Sequence, residues 1–286
     1  NGFYLGKYEV PQSQYEAVMQ GNDYGLESNP SRSKGEKEPV TRVSWDDIQI
    51  FLKILNSKER NAGRLPSQWN YSLPTEAEWE YACRAGTTTR FSWGDEIDDS
   101  LANCLRKIGR QVQVGQYPPN VWGFYDMHGN VWERVFDWSA HYSEQNEIDP
   151  SGPLNGTSKI SRGGSWMSYE QHLFSYSKVV SDTKHVNGNT GFRLALRFGL
   201  LGDNKSLKEN KIDAKNLTNT EKSENNELTL QKKQMHVVEL NSSVRLEMLW
   251  VNPGTFTMGS PTSEPGRSTR TNWEDEHNVT LSKGFY

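Results

Sequence analysis

Cysteine is the scarcest chemically useful residue in this sequence. Cys83 and Cys104 are the two thiols in 286 residues. That is too few for a disulfide scaffold, and no C-x-x-C spacing points to zinc or thioredoxin-type chemistry. Long apolar runs are missing as well. None approaches the ~18 residues a membrane-spanning helix needs, and NGFYLGKYEV at the start lacks the apolar stretch of a cleavable leader. That last absence says little for a chain read below as a fragment. Charge of one sign is not in excess: 32 Lys+Arg stand against 36 Asp+Glu, a net charge of −4. Nothing draws the chain as a whole to nucleic acid or anionic lipid, and the basic run KILNSKERNAGR from Lys53 reads as solvated helix and loop surface. Apolar residues reach only 34%, but aromatics reach 11% and include ten Trp. A core must then rest on a few large side chains. With Gly and Asn scattered among short apolar runs, a loop-rich fold is expected rather than a helix bundle.

Signatures of named reactions are also lacking. Histidines 128, 141, 172, 185, 236 and 277 form neither H-x-x-x-H nor H-E-x-x-H, and His128 is expected to hydrogen-bond within its turn. Gly163-Gly164 is followed by Ser-Trp, not by the Lys-Ser/Thr of a phosphate loop, and no G-x-S-x-G elbow occurs. Glu76 and Glu80 in LPTEAEWEYACRAG could share a helix face and do acid/base work. The simpler reading gives Glu76 and Glu78 to the helix N-terminus, Trp79 and Ala82 to packing, and Cys83 to the core as a structural thiol. In GFYDMHGNVWERVFDW, Asp126 and Glu133 flank a Gly129-Asn130 turn. That mixture of carboxylates and carbonyls suits calcium; the alternative is that Asp126 caps the turn and Glu133 pairs with an arginine.

Three helices are expected. Pro11 to Met19 follows a strand-like FYLGKYEV. Ser44 caps WDDIQIFLKILN, with Trp45, Ile48, Phe51, Leu52 and Leu55 on one face. Thr75 and Glu78 form a capping box before a helix ending at Gly86. From about Leu200 to His236 the chain turns polar, without aromatics, and reads as a linker. VRLEMLWVNPGTFTMGS follows as two β-type runs broken by Asn-Pro-Gly, a hairpin-like pair. Gly2-Phe3-Tyr4 recurs as Gly284-Phe285-Tyr286 at the far end, a sign of internal repetition.

Six segments in order, FYLGKYEVPQSQYEAVM, PVTRVSWDDIQIFLKIL, YSLPTEAEWEYACRAGT, PNVWGFYDMHGNVWER, SRGGSW and NTGFRLALR, resemble the formylglycine-generating enzyme family, which includes the sulfatase-modifying factors. The resemblance implies an α+β fold, mixed and low in regular secondary structure, related to C-type-lectin-like domains. It also divides the chain. Residues 1–198 are the domain body lacking its opening strands, 199–236 a polar linker, and 237–286 the opening segment of the same or the next tandem domain. That segment is expected to dock back on the body, in cis or by strand exchange between chains.

In the family, two active-site cysteines bind copper and oxidise a substrate cysteine to formylglycine. Carried over by motif, the tryptophan falls on Trp132, the serine on Ser165 and the two cysteines on Ser168 and Leu173. A hydroxyl and an isobutyl group cannot replace two thiolates on copper, so the resemblance implies a domain without the catalytic pair and without copper. One family calcium site falls on Asp126, Gly129, Val131 and Glu133; a second would begin at Asn103 but finds no acidic residue in RKIGRQVQVG. The expected function is a calcium-stabilised binding module for a protein, peptide or glycan in an extracytoplasmic setting, with Arg162, Trp166, Tyr169 and Arg193 on its ligand face. The alternative is an oxidase acting on sulfatase cysteines, or a related oxygenase.

Overall fold

The computed structural model describes residues 2–142, 145–199, 235–260 and 275–282; the repeated tripeptide at 284–286 and nearly all of the linker lie outside them. Helix α1 (Gln12–Met19) starts behind Pro11, whose ring presets φ at −70°. Helix α2 (Trp45–Asn61) begins with the expected cap. The Ser44 hydroxyl accepts from the Asp47 N–H, and the Asp47 carboxylate accepts from the Ser44 N–H. Ile48, Phe51, Leu52 and Leu55 are buried on one face, where Phe51 stacks on Tyr15 of α1 at 5.1 Å. Thr75 and Glu78 form the same box at α3 (Glu76–Arg84). Its end differs from expectation by one residue: Ala85 takes the left-handed backbone, φ 48°, ahead of Gly86.

Twelve strands occur among the described residues. In chain order they are β1 (Phe3–Gly6), β2 (Trp69–Ser72), β3 (Trp132–Trp138), β4 (Glu147–Ile148), β5 (Lys159–Arg162) and β6 (Lys178–Ser181). They continue with β7 (Thr190–Phe192), β8 (Ala195–Phe198), β9 (Met235–Glu239), β10 (Arg245–Val251), β11 (Gly254–Met258) and β12 (His277–Leu281). A five-stranded antiparallel sheet runs β2-β8-β1-β10-β9, a four-stranded one β6-β5-β3-β7, and a small one β11-β12-β4. Few helices and several short sheets make the fold mixed α+β.

β1 is buried on both faces, and its period of two serves two cores. Tyr4 joins α1, α2 and Trp69, while Phe3 and Leu5 join Ala77, Trp79 and Ala82 of α3. β10 pairs with β1 from Phe3↔Val251 to Gly6↔Met248 and likewise gives Met248 to the first core and Val251 to the second. The hairpin expected at VRLEMLWVNPGTFTMGS is not formed. β10 and β11 belong to different sheets, because Pro253, without an N–H, ends the ladder and redirects the chain.

Candidate functional site

β5 runs into the Gly163-Gly164-Ser165-Trp166 turn. Both glycines have positive φ, 91° and 78°. A Cβ on Gly164 would lie 2.6 Å from Leu173 Cδ2 and 2.8 Å from the His172 carbonyl, so a side chain is excluded twice, by backbone conformation and by space. The turn therefore packs hard on its own downstream loop. Ser165 and Ser168 are both buried. The Ser165 N–H donates to Ser168 Oγ at 3.0 Å, and Asn189 Nδ2 donates to Ser165 Oγ at 3.1 Å. Asn189 also holds Trp132, accepting its N–H at 2.9 Å. Leu173 is fully buried against Phe91, Cys104 and Phe174. Trp132, Ser165, Ser168 and Leu173 are thus gathered in one place, as a closed set of hydroxyls, amide and hydrocarbon.

The two thiols lie in different cores, Cys83 beside Trp79 and Met127, Cys104 beside Phe91 and Leu173. Burial pushes Cys83 up to about 12 and Cys104 up to about 11, so both stay protonated, whereas metals and nucleophilic chemistry take the thiolate. Cys83 Sγ is 3.5 Å from His128 Nε2. That histidine bonds beyond its own turn: Nδ1 meets the Leu173 carbonyl at 2.7 Å, and the Ser92 N–H donates to Nε2 at 3.1 Å. Burial holds His128 down to about 4, neutral and unable to stabilise a thiolate.

Asp126 and Glu133 do converge, and Glu9 with them. The decisive contact is an arginine. Arg193 Nε donates to Glu133 Oε2 at 2.9 Å and Nη2 to Oε1 at 2.7 Å, while Trp79 Nε1 donates to Oε2 at 2.8 Å. The rest of the Arg193 fork meets the carbonyls of Gly6 and Tyr125. Asp126 accepts from the Gly115 N–H at 2.7 Å, and Glu9 accepts from Asn130 Nδ2 and the Val131 N–H. Burial, with Asp126 and Glu133 close by, raises Glu9 well above the carboxylate range; burial pushes Asp126 up to about 6. This set fits a calcium ion poorly. A guanidinium occupies both oxygens of the would-be bidentate ligand, and a dication would face a fixed positive charge. At Asn103 the side-chain amide donates to the Arg110 carbonyl and Asn130 Oδ1, and the main-chain carbonyl accepts from the Asn130 N–H. Its Oδ1 is buried without a partner, but among the described residues no group of three or more His, Cys, Asp or Glu side chains is arranged as a metal site.

The ligand face expected from the motifs needs correction at two of its four residues. Arg162 and Arg193 have no solvent exposure. Arg162 is ion-paired with Glu80, donates to the Ser177 carbonyl at 2.9 Å and lies 5.4 Å from the Trp79 ring. Glu80 also takes Arg84 at 2.8 Å, and Glu76 takes Lys178 at 3.3 Å and the Tyr142 hydroxyl at 2.7 Å. A charge in the interior persists only when paired, and here the carboxylates of α3 do the pairing, which accounts for Glu76 and Glu80 without acid/base work. Tyr169 is exposed and Trp166 half-buried, so these two remain at the surface.

Trp166 borders an open pocket of about 510 Å³ that also meets Arg32, Arg42, Arg110, Gln111 and Asn189. Motif reading missed its arginines. The available signal was a run without acidic residues, LRKIGRQVQVG, which carries Arg106, Lys107 and Arg110.

Short sheets wrapped in ordered loops, with an open pocket beside a Gly-Gly-Ser turn, define a mixed α+β binding or catalytic domain. The family profile described as "Sulfatase-modifying factor enzyme 1-like domain" matches residues 1–198, and the chain belongs to that family. Formylglycine-generating enzyme of Mus musculus is 31% identical over 176 residues, covering 55% of this chain and 44% of that protein. Serine/threonine-protein kinase pkn1 of Chlamydia pneumoniae is 39% identical over 164 residues, 56% of this chain and 24% of that one. Among solved structures, Treponema denticola variable protein 1 superposes with a TM-score of 0.58 at 27% identity, covering 68% of this chain and 84% of its own. The chain thus spans less than half the length of the mouse enzyme and a quarter of the kinase. No helix among the described residues is long and apolar enough to cross a membrane.

Proposed function

We propose that this domain is a non-catalytic binding module of the sulfatase-modifying-factor family. One observation carries the reading. The positions that correspond to the oxidase cysteines are Ser168, closed into a bond with the Ser165 N–H, and Leu173, buried in a core. The two cysteines the chain does possess sit in separate cores with their thiols pushed up to about 12 and about 11. Neither pair offers two thiolates to a soft metal. The open pocket beside the turn supports the reading from another side. It is lined by three arginines, a poor surface for the Cys-x-Pro-x-Arg segment of a sulfatase, whose own arginine would be repelled.

The test is oxidation of a Cys-x-Pro-x-Arg peptide by the copper-loaded, aerated protein, followed by mass spectrometry beside an active enzyme of the family. No formylglycine is expected. Turnover would overturn the reading and turn attention to Cys83 and Cys104.

A further inference from the structure

The arginine-lined pocket opens where four loops meet. Arg32 and Arg42 come from the loop before α2, Arg110 from the loop before β3, Trp166 and Met167 from the glycine turn, and Asn187 from the loop before β7. Among the described residues no Asp or Glu lines it, although the chain as a whole carries a net charge of −4. One carboxylate lies behind the wall: buried Glu38 is 3.2 Å from Arg110 Nη1 and also accepts from Ser33 and Gln111. It offsets one arginine of the three. Among the described residues Arg32 and Arg42 have no side-chain hydrogen bond or ion pair, and both are exposed. Arg42 stands at φ 61°, backbone that glycine adopts freely and arginine does not. Its N–H is bonded to the Asn187 carbonyl at 3.0 Å, which ties two walls together whatever the side chain. The fold therefore has no use for a guanidinium at this position.

Trp166 and Met167 give the lining an apolar stretch whose backbone is held. The Trp166 N–H donates to the Asn130 carbonyl at 2.8 Å, and its own carbonyl accepts from the Arg106 N–H at 2.8 Å. Arginine forks match carboxylates two bonds at a time, and an indole with a neighbouring thioether accepts the hydrocarbon stems that carry such groups. The volume falls within the ~300–1,000 Å³ range of pockets for small ligands and short peptide segments.

We propose that this pocket binds an acidic peptide segment, whose carboxylates meet Arg32 and Arg42 while its aliphatic stems lie on Trp166 and Met167. The assignment rests on the binding-module reading and names the ligand class for it.

The experiment is fluorescence anisotropy of a dye-labelled hexapeptide alternating Glu and Ala, added to the full chain. The same peptide with Gln in place of Glu, and inorganic phosphate, serve as comparisons. Saturable binding of the Glu peptide is expected, weakened severalfold from 50 to 500 mM NaCl. Arg32→Ala and Arg42→Gly should each weaken it about tenfold, the scale of one charge-assisted hydrogen bond. Arg42→Gly suits its backbone and should fold as well as the parent, so a lost affinity there cannot be put down to unfolding. Equal binding of the Gln peptide, or affinity unchanged in both variants, would overturn the proposal. So would binding of phosphate without the peptide, which would make this a phosphate site. If no probe binds and no formylglycine forms, the acidic-ligand assignment falls while the binding-module reading stands. If the copper-loaded protein oxidises the sulfatase peptide, it is the binding-module reading that falls.

Discussion

The domain uses arginine in two ways, and the two groups sit only loops apart. Arg162, Arg193 and Arg197 are buried, and each is paired with a carboxylate: Glu80, Glu133 and Glu78. They belong to the recognisable segments SRGGSW and GFRLALR. Arg32 belongs to no such segment and Arg42 to PVTRVSWDDIQIFLKIL; both lie exposed and line an open pocket. A motif residue that is charged invites a ligand role, but here the buried motif arginines hold the fold together. In a fold with little regular structure, buried ion pairs join loops and sheets that hydrogen-bond ladders do not reach. On the reading proposed above, ligand chemistry falls to the exposed arginines and not to these buried ones.

The largest effect should come from the buried group. Arg193→Ala would leave Glu133 charged in the interior beside Glu9 and Asp126, a loss of about 3–5 kcal/mol for a broken buried pair, read from urea midpoints or as failure to fold. The double variant Glu133→Gln with Arg193→Met removes both charges and should recover part of that loss. A single-variant cost below about 1 kcal/mol would break the comparison, since Arg193 would then be no more structural than a surface arginine.

Asp137 sharpens the same contrast through pH. It is buried at the first turn of α3, accepts from the Glu76 N–H at 2.7 Å, and is pushed up to about 8 by burial and by Glu76 beside it. A carboxyl raised in the folded state holds its proton while the unfolded chain, at the ordinary value near 3.8, has released it. Its contribution is fully present below about pH 4, fades as pH rises, and is gone above about 8. Asp137→Asn keeps an acceptor for the Glu76 N–H and never ionises. Its stability relative to the parent should therefore climb with pH between 5 and 8, by about 1 kcal/mol per unit. Denaturation curves at pH 5, 6.5 and 8 measure it; parallel curves would mean that Asp137 is already ionised in the fold.

At the pocket the stability effect should be small and of opposite sign. Arg42→Gly removes a non-glycine residue from left-handed backbone, which offsets the flexibility glycine adds to the unfolded chain. Its midpoint should match or exceed the parent's by up to about 1 kcal/mol. A drop of 2 kcal/mol or more would show that the Arg42 side chain supports the fold, and would erase the division between the two groups.

What could be read from the sequence follows from how local each signal is. The Ser44 cap, the Thr75–Glu78 capping box and the apolar face of α2 are legible because three- and four-residue spacings determine them. The pairing of Glu133 was legible only as one of two options, since its partner lies 60 residues away and nothing local selects Arg193 over a metal. Spacing alone gives Glu76 to the helix end and no partner to Glu80, whereas in the fold Glu80 and Glu76 pair with Arg162 and Lys178 from β5 and β6. The pocket was not legible at all. Its arginines come from two distant loops, Arg32 and Arg42 from one and Arg110 from the other, with no period, and only the fold brings those loops together. Its one trace, the lack of acidic residues around Arg110, counted solely against a second calcium site, though the same lack makes that rim cationic.

The smallest expected effect concerns calcium, the other claimant to Glu133. An ion of charge +2 among Asp126, Glu133 and backbone carbonyls would need those oxygens free and no cation beside them. In the fold Arg193 already supplies the positive charge through two bonds of 2.9 and 2.7 Å. Two further oxygens of the cluster, on Glu9, are bonded to the Asn130 amide and the Val131 N–H. If arginine does the neutralising, adding calcium or a chelator should leave the melting temperature unchanged to within about 1 °C, well under the ~2–4 °C that 1 kcal/mol moves a domain of this size. A site filled at a hundred times its dissociation constant would instead stabilise the fold by about 2.7 kcal/mol, a shift no thermal scan would miss. Should calcium raise the midpoint by several degrees, Glu133 would have to rotate off Arg193 to meet it. Arg193→Ala would then be rescued by calcium instead of merely destabilised, and the division between structural and ligand-facing charge would have to be redrawn at this cluster.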